Sequence, residues 1–487
     1  MTVIVLLLLA VPLAAGLASV LLPPRVAAAV TSICGVASFG LVLALIPGIS
    51  HRDLDALGFI RVDALSVVFL IATSFLYACV AVYSVGYLDK VTDHRYSRRF
   101  WVGLNLFAWS MLAAPMMSNL ALLWIMVEIT TIVSALLVAL EGTDGAAEAA
   151  WKYVLLASAG LAIALLGTIF LYYAGSRLLG TNYSLAFSPL LGIAVKLPHA
   201  VIRLAFVLAV LGYGTKVGLF PVHTWLPDAH SEAPTPVSAL LSGSLLAVSF
   251  YAILRFYQIA AITLGGGFPR DVLLVFGVLS LLIAALYLLD QRDYKRLLAY
   301  SSVEHMGILA VGVSFGAPIA LTGVLLHVLA HAAAKGNAFM GAGVLVRKFG
   351  TKQIGSVTGG LDLLPWSGPL FLAAVLALSA MPPFGIFRSE FEIVTGGLAA
   401  SRNAPAVILV VLVTVAFLGL SMAANRMLLT PRSAPALAEE VRRGEPSALM
   451  VVPMAAGLIA LLVLGLHPPG ELVGLLDRAV TMLRGPA

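Results

Sequence analysis

One feature constrains this chain above all others. Apolar windows of about twenty residues follow one another from end to end, separated by short polar connections. They read as spans near 2–22, 26–48, 63–88, 100–117, 119–140, 151–174, 198–220 and 235–258. Further spans fall near 271–289, 296–314, 317–346, 366–399, 405–425 and 448–467. About 20 apolar helical residues cross a hydrocarbon layer, whereas a barrel strand needs only about half as many. Within lipid, only helices and closed barrels satisfy every backbone group. The chain therefore reads as an all-α integral membrane protein with about 14 transmembrane helices. Composition agrees, with 61% hydrophobic and 11% charged residues, against about 25% charged in a soluble domain. The polar stretches 89–99, 175–197, 347–362 and 427–447 are too short to fold alone, so residues 1–487 read as one polytopic domain.

The formal net charge is +6. The basic residues sit between apolar windows, where they set topology and meet lipid headgroups, so nucleic acid is not an expected partner. With the N-terminus outside, the inner connections hold 16 of the 29 lysines and arginines and the outer ones 10, with Lys216, Lys335 and Arg388 inside windows. This bias places both termini outside a prokaryotic inner membrane. No Lys or Arg precedes the first window and Arg25 follows it, which suits a first span better than a cleaved signal. Cys34 and Cys79 both lie in apolar windows and form no CxxC pattern. No iron–sulfur centre or covalent haem is expected in this chain, and redox chemistry belongs to a partner.

Two windows are interrupted. One reads Gly212-Tyr-Gly-Thr-Lys216-Val-Gly-Leu-Phe-Pro221, the other Met381-Pro-Pro-Phe-Gly385-Ile-Phe-Arg388-Ser-Glu390. Broken helices in corresponding places of two halves are a pointer to an ion path. They fall into register if residues 100–265 and 266–426 are two inverted five-helix repeats. Three helices in 1–99 then precede the repeats, and a polar loop and last helix in 427–487 follow.

Ionisable residues inside the windows are few, and each costs about 2.5–3.5 kcal/mol at a helix centre on insertion scales. Glu128 sits in Leu123-Trp-Ile-Met-Val-Glu128-Ile-Thr-Thr-Ile. His327, His331 and Lys335 recur at steps of four and share one helix face. Glu304 and His305 open the tenth window, and Glu390 follows the second break. Blander roles exist for each: interhelical glue for Glu128, snorkelling for Lys216, satisfied core histidines for His327, His331 and His305. A metal ion between His327 and His331 is disfavoured by the neighbouring ammonium of Lys335. Arg388 reads as structural, since a guanidinium does not release its proton. Taken together, carboxylates, ammonium groups and imidazoles across a membrane form a proton path. Burial disfavours the charged form of each and an opposite charge restores it, so one proton's movement biases the next.

The stretch Gly214-Thr-Lys216-Val-Gly-Leu-Phe-Pro-Val-His223-Thr-Trp225-Leu-Pro-Asp228-Ala-His230-Ser-Glu232-Ala-Pro234-Thr-Pro236 resembles the signature of the antiporter-like, proton-conducting subunits of respiratory complex I. That family includes multisubunit cation/proton antiporters and membrane-bound [NiFe] hydrogenases. Arg292-Asp-Tyr-Lys295-Arg-Leu-Leu-Ala-Tyr-Ser-Ser-Val and the His327/His331/Lys335 window carry the same resemblance, which runs from about residue 60 to 425. Glu128-Ile-Thr-Thr-Ile-Val-Ser and Ser302-Val-Glu304-His305-Met-Gly look most like component F of the hydrogenase-4 and formate-hydrogenlyase group.

The resemblance implies a coupled pair, Glu128 and Lys216, on the fifth and seventh helices. Lys335 is implied as the central relay flanked by His327 and His331, and Glu390 as the exit residue. The eighth window departs from the pattern. Relatives carry a Lys or His there, and this chain has Ser242-Gly-Ser244-Leu-Leu-Ala-Val-Ser249, hydroxyls that suit bridging water. The implied protein is a proton-translocating, non-catalytic subunit of a membrane-bound oxidoreductase of hydrogenase type. Hydrogenase-like large and small subunits would carry Fe–S clusters and [NiFe]. Alternatives are a subunit of complex I or of a cation/proton antiporter, a membrane subunit energising inorganic-carbon uptake with a zinc protein, and a scaffold that has lost conduction. The chain stops about twenty residues beyond its last window, and no long lateral helix is expected.

Overall fold

A computed structural model describes residues 1–431 and 442–484; Arg432, one of the inner charges above, lies outside them. In chain order the principal helices are α1 (Thr2–Leu21), α2 (Pro24–Leu43), α3 (Ala64–Tyr87), α4 (His94–Ala113), α5 (Leu120–Val138) and α6 (Asp144–Leu179). Then come α7 (His199–Val217), α8 (Trp225–Glu232), α9 (Thr235–Leu264), α10 (Gly267–Leu288), α11 (Tyr294–Phe315) and α12 (Pro318–Phe349). The last are α13 (Ser367–Leu378), α14 (Gly385–Ala399), α15 (Asn403–Ala424), α16 (Ala448–Leu466) and α17 (Gly470–Arg484). A two-stranded hairpin, β1 (Leu54–Ala56) and β2 (Ile60–Val62), precedes α3.

Twelve helices among the described residues are long and apolar enough to cross a membrane. Two of the fourteen windows expected from the sequence are not matched by such a helix. One is α4, whose first turns carry His94, Arg95, Arg98 and Arg99 and lower its apolarity. The other is divided into α13 and α14, 12 and 15 residues long and each too short to cross alone. Several helices start on a side-chain cap at a connection, where the first backbone N–H groups lack partners. Ser66 N–H donates to Asp63 at 2.9 Å, Leu122 N–H to Asn119 at 2.8 Å and Lys295 N–H to Asp293 at 2.7 Å.

The helices differ sharply in what surrounds them. The most apolar 18-residue stretches of α9 and α11 are wholly buried and that of α12 is 89% buried, whereas those of α1, α2 and α16 are 33% buried. The centre of the molecule is thus α9, α11 and α12, and the peripheral helices leave most of their surface uncovered by the rest of the chain. Small residues let the broken spans pack tightly. A Cβ on Gly212 of α7 would stand 2.6 Å from the Gly160 carbonyl of α6. A Cβ on Gly323 of α12 would stand 2.7 Å from the Ser389 carbonyl of α14, and one on Gly396 2.6 Å from Ala320 N.

The two ends of the bundle are set by ion pairs. Arg478 of α17 donates to Ile49 O and to Asp53, each at 2.6 Å, and Arg61 pairs with Asp53 at 2.7 Å. Met1 packs beside Gly48. The start of α1, the hairpin and α17 therefore share one face. The opposite face gathers the Arg347–Asp89 pair, the Arg296–Asp228 pair at 2.8 Å and the Lys352–Glu232 pair at 2.9 Å. Arg255, one of the ten basic residues assigned to the outer side although it falls in the 235–258 window, lies inside α9 and is 1% exposed. Its Nη2 lies 2.7 Å from both oxygens of Asp63, and its Nε donates to Tyr251 Oη at 2.9 Å. The fully buried Asp63 carboxylate at the start of α3 gives it a partner away from water.

Candidate functional site

The first interruption falls between α7 and α8. Helix α7 ends on Gly218, whose φ of 84° is left-handed and suits glycine. The Trp225 indole N–H, at the start of α8, donates to Thr215 O at 2.7 Å and ties the two halves together across the gap. Lys216 sits in that last turn and is fully buried. Its ammonium donates to Thr131 Oγ1 and, at 3.5 Å, to Val127 O, both on α5. It also lies 5.3 Å from the centroid of the Tyr153 ring. Glu128 is on α5, one turn before Thr131, and accepts from the Ser158 hydroxyl at 2.8 Å. Its other oxygen is buried without a partner. Glu128 and Lys216 thus occupy one patch, with no ion pair within 4.0 Å between them.

A second site repeats this arrangement at the centre. Lys335 on α12 donates to Leu298 O at 2.9 Å and to Ser301 Oγ, both on α11. Glu304 lies one turn beyond Ser301, is 2% exposed, and has a buried unpartnered oxygen. Each lysine is therefore held by a carbonyl and a hydroxyl of the adjacent helix, with a carboxylate one turn from the hydroxyl. Toward the face that carries the termini, His331 and His327 climb α12 by one turn each, about 6 Å per step. His305 of α11 joins them: its Nδ1 is 3.1 Å from His327 Nε2, and its ring lies 5.1 Å from that of His331. His327 Nδ1 is 2.9 Å from Ser389 Oγ on α14, next to Glu390, whose Oε1 is buried and unpartnered.

His230 on α8 does not stand out in the sequence as a site residue. It is fully buried, neither ring nitrogen has a partner, and the ring stacks 5.2 Å from that of Phe339, one turn beyond Lys335. From there the chain of polar groups continues to the opposite face. Lys295 donates to Ser231 O at 2.8 Å and Ala233 O at 2.6 Å, and Ser231 Oγ donates to Asp293 at 2.8 Å. Between the two lysine sites runs α9, which widens to a π-helical turn over Leu241–Leu245, a feature frequent at functional sites. Ser242 Oγ meets Ser302 Oγ of α11 at 2.7 Å and Ser244 donates to Thr73 of α3 at 2.8 Å. Ser249 closes on Leu245 O of its own helix at 3.0 Å. The arrangement brings Glu128 to Lys216, and Lys335, His331, His327, His305 and Glu390 into one row.

Residues 117–418 match the family described as NADH:quinone oxidoreductase/Mrp antiporter, transmembrane. A hydrogenase-4 component F homolog of Methylacidiphilum infernorum is 36% identical over 362 residues, 73% of this chain and 76% of that protein. Hydrogenase-4 component B of Escherichia coli is 30% identical over 364 residues, 72% of this chain and 52% of its own length. Among solved structures, a chain of respiratory complex I from Thermus thermophilus superposes with a TM-score of 0.83 at 25% identity, covering 99% of this chain and 100% of that one. A chain of the Mrp complex from Dietzia superposes at 0.84 with 21% identity, covering 99% and 97%, a likeness of fold. The match over most of the helical bundle, signature and lysine sites included, makes this chain a member of the antiporter-like membrane-subunit family of NADH:quinone oxidoreductases and Mrp antiporters.

Proposed function

We propose that this chain is the proton-translocating, non-catalytic membrane subunit of a membrane-bound oxidoreductase of [NiFe]-hydrogenase or formate-hydrogenlyase type. One observation carries the reading. A column of titratable side chains crosses the most buried helices, from Lys295 through His230, Lys335, His331, His327 and His305 to Glu390. Imidazole, carboxylate and ammonium groups so placed pass protons by breaking and remaking hydrogen bonds, and each charge biases its neighbour. Glu128 and Lys216 form a second site through which a partner's charge rearrangement drives the first. The names of the relatives, hydrogenase-4 components F and B, support the hydrogenase assignment. Electrons and their Fe–S and [NiFe] cofactors belong to partner subunits. The glycine-lined pairs α6–α7 and α12–α14, each beside a broken span, support two inverted five-helix units. The basic bias supports an outside location for both termini in a prokaryotic inner membrane.

The test has two parts. Proteins that co-purify with the chain in mild detergent should include a [NiFe] large subunit. Antiporter subunits, NADH-dehydrogenase subunits or a large zinc-containing chain would replace the assignment. Lys335→Met should slow proton pumping strongly in membranes that hold matched amounts of the assembled complex, and normal pumping would remove the column from the path.

A further inference from the structure

The ligand-type atoms of His305, His327 and Glu390 lie within 4.8 Å of one another. They come from three helices, α11, α12 and α14, which close on one point. The 3.1 Å between His305 Nδ1 and His327 Nε2 is near the ~3.3 Å edge of a tetrahedron of nitrogens held ~2.0–2.1 Å from a metal. The second nitrogen of His327 is 2.9 Å from Ser389 Oγ, and a ligating imidazole is almost always fixed in this way through its other nitrogen. Glu390 Oε1 is buried and faces no donor. Glu390 also forms part of the wall of a mostly apolar cavity of about 370 Å³ between α14 and α15.

We infer that His305, His327 and Glu390 form a binding site for a divalent transition cation of the zinc class. Two imidazoles and one carboxylate, with a fourth position open, suit zinc, whereas calcium and magnesium take shells of oxygen. The spacing of His327 and His331 on α12 suggests a different pair, one that Lys335 disfavours. The structure exchanges His331 for Glu390, which supplies negative charge. It also places His327, the ligand on α12, two turns, about 12 Å along the helix, from the lysine. A cation held there occupies the imidazole lone pairs that a passing proton needs, so zinc closes the column. This consequence rests on the translocation reading; the binding does not.

The full chain, purified without a histidine tag in mild detergent, is equilibrated with Zn²⁺ against a chromophoric chelator. Zinc per folded chain is counted and its shell read by X-ray absorption. The expected result is one zinc with two imidazole nitrogens, bound at least about tenfold more weakly in His327→Gln and in Glu390→Gln, and unchanged in His331→Gln. His305→Gln serves where either variant fails to fold. A folded wild-type chain that binds no zinc, or binding that these ligand variants leave unchanged, overturns the site. In proteoliposomes zinc should then stop proton flux. Binding without that block supports the site but removes it from the path, and absence of flux before zinc is added counts against the translocation reading alone.

Discussion

Glu128→Gln isolates the charge of Glu128 from its shape. The Ser158 hydroxyl keeps an acceptor, and the Lys216 ammonium keeps Thr131 and Val127 O. The two charges stand more than 4.0 Å apart. Their direct attraction is therefore below the ~4 kcal/mol expected at ~4 Å and an effective dielectric of ~20. That bound is about a thousandfold in the equilibrium for placing the second charge. The Thr131 contact is of similar weight, since a hydrogen bond to a charged group is worth about 1.5–3 kcal/mol. Glu128→Gln and Lys216→Met should each abolish proton pumping, and Thr131→Val should reduce it, all with partner assembly intact. The Glu128→Gln/Lys216→Met double variant should be no worse than either single one, because both interrupt one relay. The assay is proton uptake into inverted membrane vesicles with equal amounts of assembled complex, driven by the partner's electron donor. Full pumping in Glu128→Gln would return that residue to interhelical packing. Losses that simply add in the double variant would mean two separate sites.

The column makes further predictions. Lys335→Met should slow translocation more than His327→Ala or His331→Ala, since water can stand in for either imidazole; equal losses in flux assays would mean the row acts as one unit. His230→Gln keeps a hydrogen-bonding side chain but cannot titrate, so it should lower flux by about tenfold or more, equivalent to at least ~1.4 kcal/mol on the barrier; an unchanged rate would leave His230 a packing residue. Arg255→Leu leaves the buried Asp63 carboxylate with Arg61, at 3.7 Å, as its cationic partner and should destabilise the chain by up to about 3–5 kcal/mol, read as a lower midpoint in thermal unfolding in detergent, whereas an unchanged midpoint would mean the pair adds nothing. Cysteines at residue 2 and at Arg442 should label from opposite sides of the membrane, with residue 2 outside, and labelling of both from outside would overturn the topology.

Charge inside an apolar window is visible without coordinates, which is why Glu128, Lys216, Lys335 and Glu390 stand out in the sequence. His230 does not, because it lies in a polar stretch where a histidine reads as surface. The break at Gly218 is the available signal: the residues after a break form the second half of a span, so α8 turns inward rather than away. Glu304 is legible as a buried charge, but its place beside the hydroxyl that holds Lys335 depends on how α11 and α12 pack. Nor does the apolar pattern separate central from peripheral helices. A helix apolar all round carries no stripe to show which side faces protein. The amphipathic α17 is readable in principle. Leu472, Leu475, Leu476, Ala479 and Leu483 recur at helical spacing and form its buried side, but a fifteen-residue segment beyond the last window reads as a tail. The hairpin before α3 is too short for its alternation to register.

Two kinds of buried charge coexist in this protein, and their hydrogen bonding separates them. Arg255 is locked. Its three nitrogens reach Asp63, Ser66, Tyr251 and Gln258, and Gln258 in turn donates to Met482 O in α17 at 3.1 Å. A group bound on every side holds helices together and cannot hand a proton on. The column is the reverse. Among the described residues, fourteen buried side-chain polar atoms lack a partner, and eight of them belong to Glu128, His230, Glu304, His305, His331 and Glu390. Left dry, each such atom would cost about 1–3 kcal/mol relative to a paired one, and water at these positions would join it to its neighbours. The other six unpartnered atoms lie on Tyr213, His223, Asn337, Ser379, Glu392 and Ser421. The column also holds Lys295, His327 and Lys335, whose bonds are made. Spare donors and acceptors interspersed with made bonds let a proton move by exchange of partners. This spare capacity is concentrated, though not confined, where the transport is proposed to occur.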